Sequence, residues 1–398
     1  MGAPPAHFVD SYFDDFGATA VHLWTLGLPN AMNTWRATRP GARWLSWLRN
    51  DGKSWDGQKV IGGYPADTPG RIGYQVGDEP STVADLDEMA LGAQAVRAAD
   101  PDALIVFNYS ISAPELDAIL DKAESTEHDV ISFDLYSASS RVYRSLDVFR
   151  KQALSEGKPY WAYLNSYVDG DGHNWHPTQS DMRWNAFIHA AYGYTGFSWF
   201  LYQIPAPTPS DHEQLRVSLF EQTGSFNAAQ SSRFAIAAQV NRELLNLQRA
   251  ISQLTSTDVR YIAFNSLAQP DGTEPWSAGA GGDAFISSIT PGGSLGELLV
   301  TFFEDVHGDV YVMLVNPNHE HGSFPVDNDD SQAVTLEFDF SGADECTDSS
   351  RLRAVDKVTG AIVDLPLQDT GSETAKLELQ LPAGDTILFK YANEVPFA

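Results

Sequence analysis

The sequence predicts an α/β fold: a (β/α)8, TIM-like barrel with its first strand missing or vestigial, followed by a C-terminal antiparallel β-sandwich. Three observations carry that expectation. Up to about residue 252, near-continuous apolar runs alternate with amphipathic helices, as expected for parallel strands buried on both faces. Beyond about residue 290 there are only strand-like runs separated by Gly, Asn and Asp turns. Residues 266–296 (SLAQPDGTEPWSAGAGGDAFISSITPGGSLG) are rich in Gly, Pro and Ser and read as a linker or long loop. The expected organisation is a barrel over residues 1–265, a linker over 266–296 and a sandwich over 297–398.

Taken in order, the chain opens with an amphipathic helix from His7 to Phe16, apolar at Phe8, Tyr12, Phe13 and Phe16. Strands are expected at 19–24, 58–63, 72–77, 103–109, 129–136, 159–166 and 195–203. Helix 82–98 begins with a Thr82/Asp85 capping pair and lines up Leu86, Met89, Ala90, Ala93 and Val96 on one face. Residues 142–155, 179–192 and 229–250 show the same periodicity. A complete eight-fold barrel starts with a strand, yet here a helix precedes the first one. Either strand 1 is absent or residues 1–6 supply a vestige of it. The strand at 72–77 then becomes the fourth of the barrel, 129–136 the sixth, 159–166 the seventh and 195–203 the eighth. No Gly-x-Gly-x-x-Gly or Walker sequence follows an early strand, which weakens a nucleotide-binding alternative. In the second domain, LLVTFFED, DVYVMLVNP, AVTLEFDF, RLRAVDK, AKLELQL and DTILFKYA read as antiparallel strands. No polar cluster converges there, so bracing the barrel is its expected role, with carbohydrate binding a minor option.

Charge narrows the partners. Fifty-three acidic residues against 25 basic ones give a net charge of −28, which repels nucleic acid and anionic membrane and disfavours highly sulfated or uronate-rich polymers. Cys346 is the single cysteine, so there is no intramolecular disulfide and no thiolate metal cluster. Asp169, Asp171 and His173 match no metal-loop spacing closely, and neither a metal nor a cofactor is implied. No apolar run is long enough to span a bilayer, and no basic segment followed by an apolar stretch opens the chain. A secreted or periplasmic location with the leader removed is the expectation, the cytoplasm its alternative.

The stretch GYQVGDEPST (73–82) ends a buried strand in two adjacent acids, Asp78 and Glu79, and a proline. Active sites of such barrels lie at the carboxyl ends of the strands. The other strand ends are also polar or aromatic: His22 and Trp24, Asn108 and Tyr109, Asp134 and Tyr136, Asn165 and Tyr167, Tyr202 and Gln203. Acids move protons, acids and amides bind hydroxyls, and aromatic faces stack on pyranose rings, so convergence of these types points to sugar chemistry. Each has a plainer reading. Asp134 is a candidate for bonding to backbone amides, and Trp199, Phe200 and Tyr202 for barrel core, with Trp199 or Tyr202 the better sugar platform. Trp175, with His173 and His176, lies in the loop 168–179, expected to be either a polar surface loop or a substrate-binding lip.

GYQVGDEPS, ADPDALIVFNYS, DVISFDLYS, GKPYWAYLNSY and FIHAAYGYTGFSWFLYQ, in that order, resemble the barrel of the large clan A of glycoside hydrolases, in a branch carrying Asp-Glu-Pro after strand 4. The resemblance covers roughly residues 60–250. It implies an O-glycosyl hydrolase of an oligo- or polysaccharide with Glu79 as acid/base. The residue before that Glu is usually Asn; here it is Asp78. The family's nucleophile, a Glu at the tip of strand 7, is replaced by Leu164-Asn165-Ser166-Tyr167. Three readings of the acid pair follow. Glu79 acts as general acid with Asp134 as second carboxylate; or Asp78 orients a substrate 2-acetamido group, as in hexosaminidases with a Gly-Asp-Glu sequence; or both acids merely cap the next helix. In the catalytic readings Glu79 is expected to hold a proton while Asp78 or Asp134 stays ionised. Asp78, Glu79, Asp134, Asn165 and Tyr202 are expected in one cleft. The rival from another class is a non-catalytic carbohydrate-binding barrel.

The dense acidity has a measurable consequence. Screening relieves self-repulsion, so the melting temperature should rise between dilute buffer and molar NaCl. A flat or falling value would remove this account.

Overall fold

The computed structural model describes residues 11–23, 39–48, 70–136, 140–169, 178–202, 215–220, 230–264, 268–292, 296–320, 331–343 and 347–398. The chain divides into two compact units. Met1–Tyr136, Phe149–Tyr163 and Gly196–Ser198 form the first; Ser137–Val148, Leu164–Thr195 and Trp199–Ala398 form the second.

The first nine strands in chain order are β1 (Val21–Leu23), β2 (Trp44–Leu48), β3 (Arg71–Val76), β4 (Leu104–Ser110), β5 (Val130–Asp134), β6 (Tyr160–Asn165), β7 (Val168–Asp169), β8 (Gly196–Phe200) and β9 (Leu215–Val217). Seven make one sheet in the order β1-β2-β3-β4-β5-β6-β8, and each pair from β1 to β6 is parallel. This is the sheet of a (β/α)8-type barrel with seven strands in place; no strand precedes β1 among the described residues. Strands β7 and β9 pair with each other, antiparallel.

The helices are α1 (Ser11–Asp14), α2 (Val83–Ala99), α3 (Leu116–Ala123), α4 (Arg141–Glu156), α5 (Gln179–Ala191) and α6 (Ser232–Ile251). Helix α2 starts where the sequence places it. The Thr82 hydroxyl accepts from Asp85 N, and Asp85 Oδ2 accepts from Thr82 N at 2.9 Å, closing a capping box. Leu86, Met89, Ala93 and Val96 are buried on its inner face, while Ala90 is only half-buried.

Two elements differ from expectation. The strand expected at 58–63 lies outside the described residues, and the strand between β1 and β3 is Trp44–Leu48, buried throughout. Five residues are too short a run for periodicity to distinguish strand from helix, so bulk and burial rather than pattern make β2. Helix α3 buries only Ile119, Leu120 and Ala123 across eight residues, too little of a stripe to announce itself.

Within the second unit, two sheets share one apolar core. One runs Glu274–Pro275, Thr255–Ile262, Leu298–Glu304, Val310–Val315, Thr386–Ala392, Asp348–Val355 and Ile362–Pro366; the other Ile286–Pro291, Gln332–Asp339, Thr374–Leu381 and Gln368–Gly371. Side chains from both, among them Phe302, Leu314, Phe389, Leu336 and Phe338, pack into that core. Burial alternates along Gln332–Asp339 as a half-buried strand requires. The antiparallel strands begin at Thr255, upstream of the expected boundary at 297. The Gly-rich stretch itself contributes Glu274–Pro275 and Ile286–Pro291, because backbone pairing needs no apolar run from a short edge segment.

A buried charge cluster sits in this unit. Arg183 on α5 donates to Glu243 on α6 at 2.9 Å and to Asp385 at 2.8 Å, all three nearly inaccessible to solvent. Among the described residues, removing Arg183 leaves buried Glu243 with no cation and only the Gln239 amide at 2.9 Å, while Asp385 keeps Lys357 at 3.0 Å, so Arg183→Met should cost about 3–5 kcal/mol in denaturant unfolding. A loss below about 1 kcal/mol would mean that the network relaxes into water.

Candidate active site

Strands β3, β4 and β5 are neighbours, and their register aligns their carboxyl ends. Gln75 pairs with Val106, Asn108 with Ser132, and Ser110 with Asp134. After β3 the chain turns through Gly77, whose φ of 74° suits glycine and whose absent Cβ would meet Met89 Cγ at 2.3 Å. Gly77 N–H donates to Leu48 O at 2.7 Å, and Glu79 N–H to Asn108 O at 3.0 Å. Glu79 itself has a φ of 43°, a left-handed conformation uncommon outside glycine, so two anchored amides hold this tip against local preference.

The helix-cap reading of Asp78 and Glu79 falls here. The N-terminus of α2 is capped by Thr82 and Asp85, and Val83 N–H donates to Glu115 Oε2 at 2.9 Å.

One amide nitrogen joins three strand ends. Asn108 is buried, and its Nδ2 donates to Asp78 Oδ1 at 2.9 Å and to Asp134 Oδ1 at 3.1 Å. Gln75 Nε2 adds a second donor to Asp78 Oδ1 at 3.1 Å. Asp134 is half-buried as a residue, yet its carboxyl is closely enclosed by protein. Burial, then the charges of Glu79 and Asp78, push it well above the usual carboxylate range; a hydrogen bond with Glu79 adds to the rise and the Asn108 amide opposes it. Of the two acids expected to stay ionised, Asp78 or Asp134, the surroundings of Asp134 favour its protonated form. Sequence spacing shows that acids are near one another but not which is desolvated.

The remaining residues distribute as follows. His22 Nδ1 lies 2.9 Å from the Tyr163 hydroxyl in the first unit, and burial lowers its imidazole to about 4. Tyr136 is half-buried beyond Asp134. Asn165, Tyr167, Trp199 and Tyr202 belong to the second unit. There Asn165 Oδ1 accepts from Tyr167 N–H at 3.0 Å, and its buried Nδ2 has no partner among the described residues. The Tyr167 ring stands edge-on to Phe200. Trp199 is half-buried and donates its indole N–H to Asn241 on α6 at 2.7 Å. The Tyr202 ring is held edge-on by Phe220 and Phe234, in an aromatic cluster. Trp24, Trp175 and Gln203 lie outside the described residues. Among the described residues, no group of three or more His, Cys, Asp or Glu is placed to hold a metal ion. Sequence reading missed Gln75 and Tyr163; the signal was Gln75 itself, an amide inside an otherwise apolar strand.

The fold is shared with glycoside hydrolase barrels. A glycoside hydrolase family 5 protein from Bacteroides vulgatus is 13% identical over 98% of this chain and 80% of its own, with a TM-score of 0.55. A second structure, described as a glycoside hydrolase, gives 12%, 98%, 82% and 0.55. A cycloisomaltooligosaccharide glucanotransferase from Paenibacillus sp., in complex with cycloisomaltoheptaose, gives 10%, 98%, 83% and 0.54. At such identities the likeness defines the fold, from barrel through C-terminal β-sheets. No family model and no curated protein matches the sequence.

The protonated Asp134 has a stability signature. Its carboxyl in the unfolded chain ionises near pH 4, while the folded protein retains the proton to higher pH. The contribution to stability is therefore full below the unfolded pKa and is lost as pH climbs through the raised one. Asp134→Asn, which keeps the acceptor for Asn108, should raise the melting temperature at pH 7 and much less at pH 4. A variant no more stable at pH 7 would contradict the raised carboxyl.

Proposed function

We propose that the protein is a glycoside hydrolase acting on O-glycosidic bonds of an oligo- or polysaccharide, with Asp134 as general acid and Asp78 as nucleophile. The observation that carries the reading is the pair of carboxyls held on one Asn108 amide, one protonated and one bound by two N–H donors. Their two Oδ1 atoms can be no further apart than about 6 Å, the two bonds laid end to end. That favours the ~5–5.5 Å spacing of retaining enzymes over the ~6.5–9.5 Å that leaves room for a water.

In this reading a carboxylate oxygen of Asp78 attacks the anomeric carbon as the glycosidic bond breaks. The Asp134 proton passes to the departing oxygen. Water then cleaves the glycosyl ester, returning its proton to Asp134 and freeing Asp78. Glu79 accepts the Asp134 hydrogen bond at rest and keeps the proton in place. The likeness to glycoside hydrolase barrels supports the class, and the acidic surface agrees with a neutral or basic glycan.

Substrate series separate the roles. Asp134→Asn should slow cleavage of unactivated oligosaccharides about 10²–10⁴-fold and spare activated aryl glycosides, which hardly need protonation. Asp78→Asn should abolish both. If Glu79→Gln alone shows the leaving-group dependence, the acid is Glu79. Inverted product, read by NMR, would remove Asp78 as nucleophile. Cleavage confined to 2-acetamido sugars would favour the substrate-assisted alternative, and a wild type that binds glycans but cleaves none would be a binding barrel.

A further inference from the structure

Three polar residues behind Asp78 fix one another's protons. Gln75 Nε2 lies 3.3 Å from Gly77 O as well as 3.1 Å from Asp78 Oδ1. A backbone carbonyl only accepts, so the nitrogen end of the Gln75 amide must face Gly77 and Asp78. Its Oε1 then faces Tyr163, whose hydroxyl donates to it in a short hydrogen bond. With its single proton committed there, the Tyr163 oxygen can only accept from His22 Nδ1, 2.9 Å away. His22 is therefore protonated at Nδ1, and its buried Nε2 carries a lone pair with no partner among the described residues. The opposite tautomer would bury an N–H without an acceptor and leave two lone pairs facing each other, the costlier arrangement on both counts.

We propose that His22, Tyr163 and Gln75 are positioning residues forming one directed hydrogen-bond relay, His22 Nδ1–H to Tyr163 to Gln75 to Asp78, that holds Asp78 in its ionised, reactive state. Each donor is polarised by the one behind it, which strengthens the final N–H at Asp78. None of the three has a proton to lose near neutral pH. Burial keeps His22 uncharged down to about 4, and burial together with the charge of Asp78 keeps the Tyr163 phenol neutral. The catalytic role rests on the nucleophile reading of Asp78; the direction of the relay rests only on the Gly77 carbonyl.

The test begins with ¹⁵N NMR of the resting protein. The chain has 10 histidines, so His22 is assigned by its disappearance in His22→Gln. Expected are an Nδ1–H His22 in wild type and a switch to Nε2–H in Tyr163→Phe. The same variant should lose about tenfold or more in kcat at unchanged KM, the scale found for groups that orient metal ligands. The acidic limb of its kcat/KM profile should also move to higher pH, because Asp78 loses support for its charge. Gln75→Glu, which places a carboxylate against Asp78, should move that limb further the same way. An Nε2–H tautomer in wild type overturns the relay, and so does a wild-type acidic limb in either variant. A wild type that cleaves no glycan sinks the catalytic role, yet the tautomer measurement still decides the direction of the relay, so the two failures are told apart.

Discussion

Asn108 binds three strand ends through two groups. Its carbonyl oxygen receives Glu79 N–H, and its side-chain amide donates to both Asp78 and Asp134. Without that shared donor, two carboxylates no more than about 6 Å apart would repel by at least about 3 kcal/mol at an effective dielectric near 20. The raised Asp134 carboxyl relieves this repulsion, because its protonated form carries no charge. Desolvation at the end of β5 selects Asp134, because Asp78 and Glu79 lie on the exposed side of the turn. In the proposed reaction this asymmetry supplies an acid that can give a proton and a carboxylate that can attack the anomeric carbon, set by environment and not by residue type.

Such a cluster costs stability, and the cost is borne by apolar packing elsewhere in the sheet. Trp44, Tyr74, Phe107 and Phe133 are fully buried in β2–β5, and Phe133 stacks on Phe149 at 4.8 Å. Glu79 stores backbone strain at the strand tip, with the preceding Gly77 N–H pinned by β2 and Glu79 N–H by β4. The polar tip is rigid because its anchors are backbone groups of neighbouring strands, which cannot move without disturbing the sheet.

Much of this was legible in the sequence, for identifiable reasons. The apolar runs at 72–77, 103–109, 129–136 and 159–166 are β3 to β6, because strands buried on both faces leave no room for polar residues except at their ends. That same rule exposed Asp78, Glu79, Asn108 and Asp134 as candidates. The location of the proton was not legible, since it depends on which carboxyl the fold desolvates. For Trp199 and Tyr202 the sequence left core and sugar platform open, because an aromatic near a strand end reads alike whether it faces a ligand or a helix; their contacts with Asn241, Phe220 and Phe234 come from residues far along the chain. Gln75 and Tyr163 were passed over as core. Their polar atoms have partners 88 positions apart in the chain, a distance no local pattern spans.

Asn165 stands where the resemblance expects the strand-7 nucleophile. The chemistry, however, requires a separation between two carboxyls and a difference in their protonation, not a particular strand. The proposed pair would meet both across β3 and β5, with β4 supplying the amide between them. An amide at residue 165 is then consistent with the rest: its oxygen is occupied by Tyr167 N–H, and it adds no negative charge to a chain already at −28. With acids on β3 and β5 and the relay from His22 and Tyr163 behind them, the electrostatics of the first unit are set by where charge is withheld as much as by where it is placed.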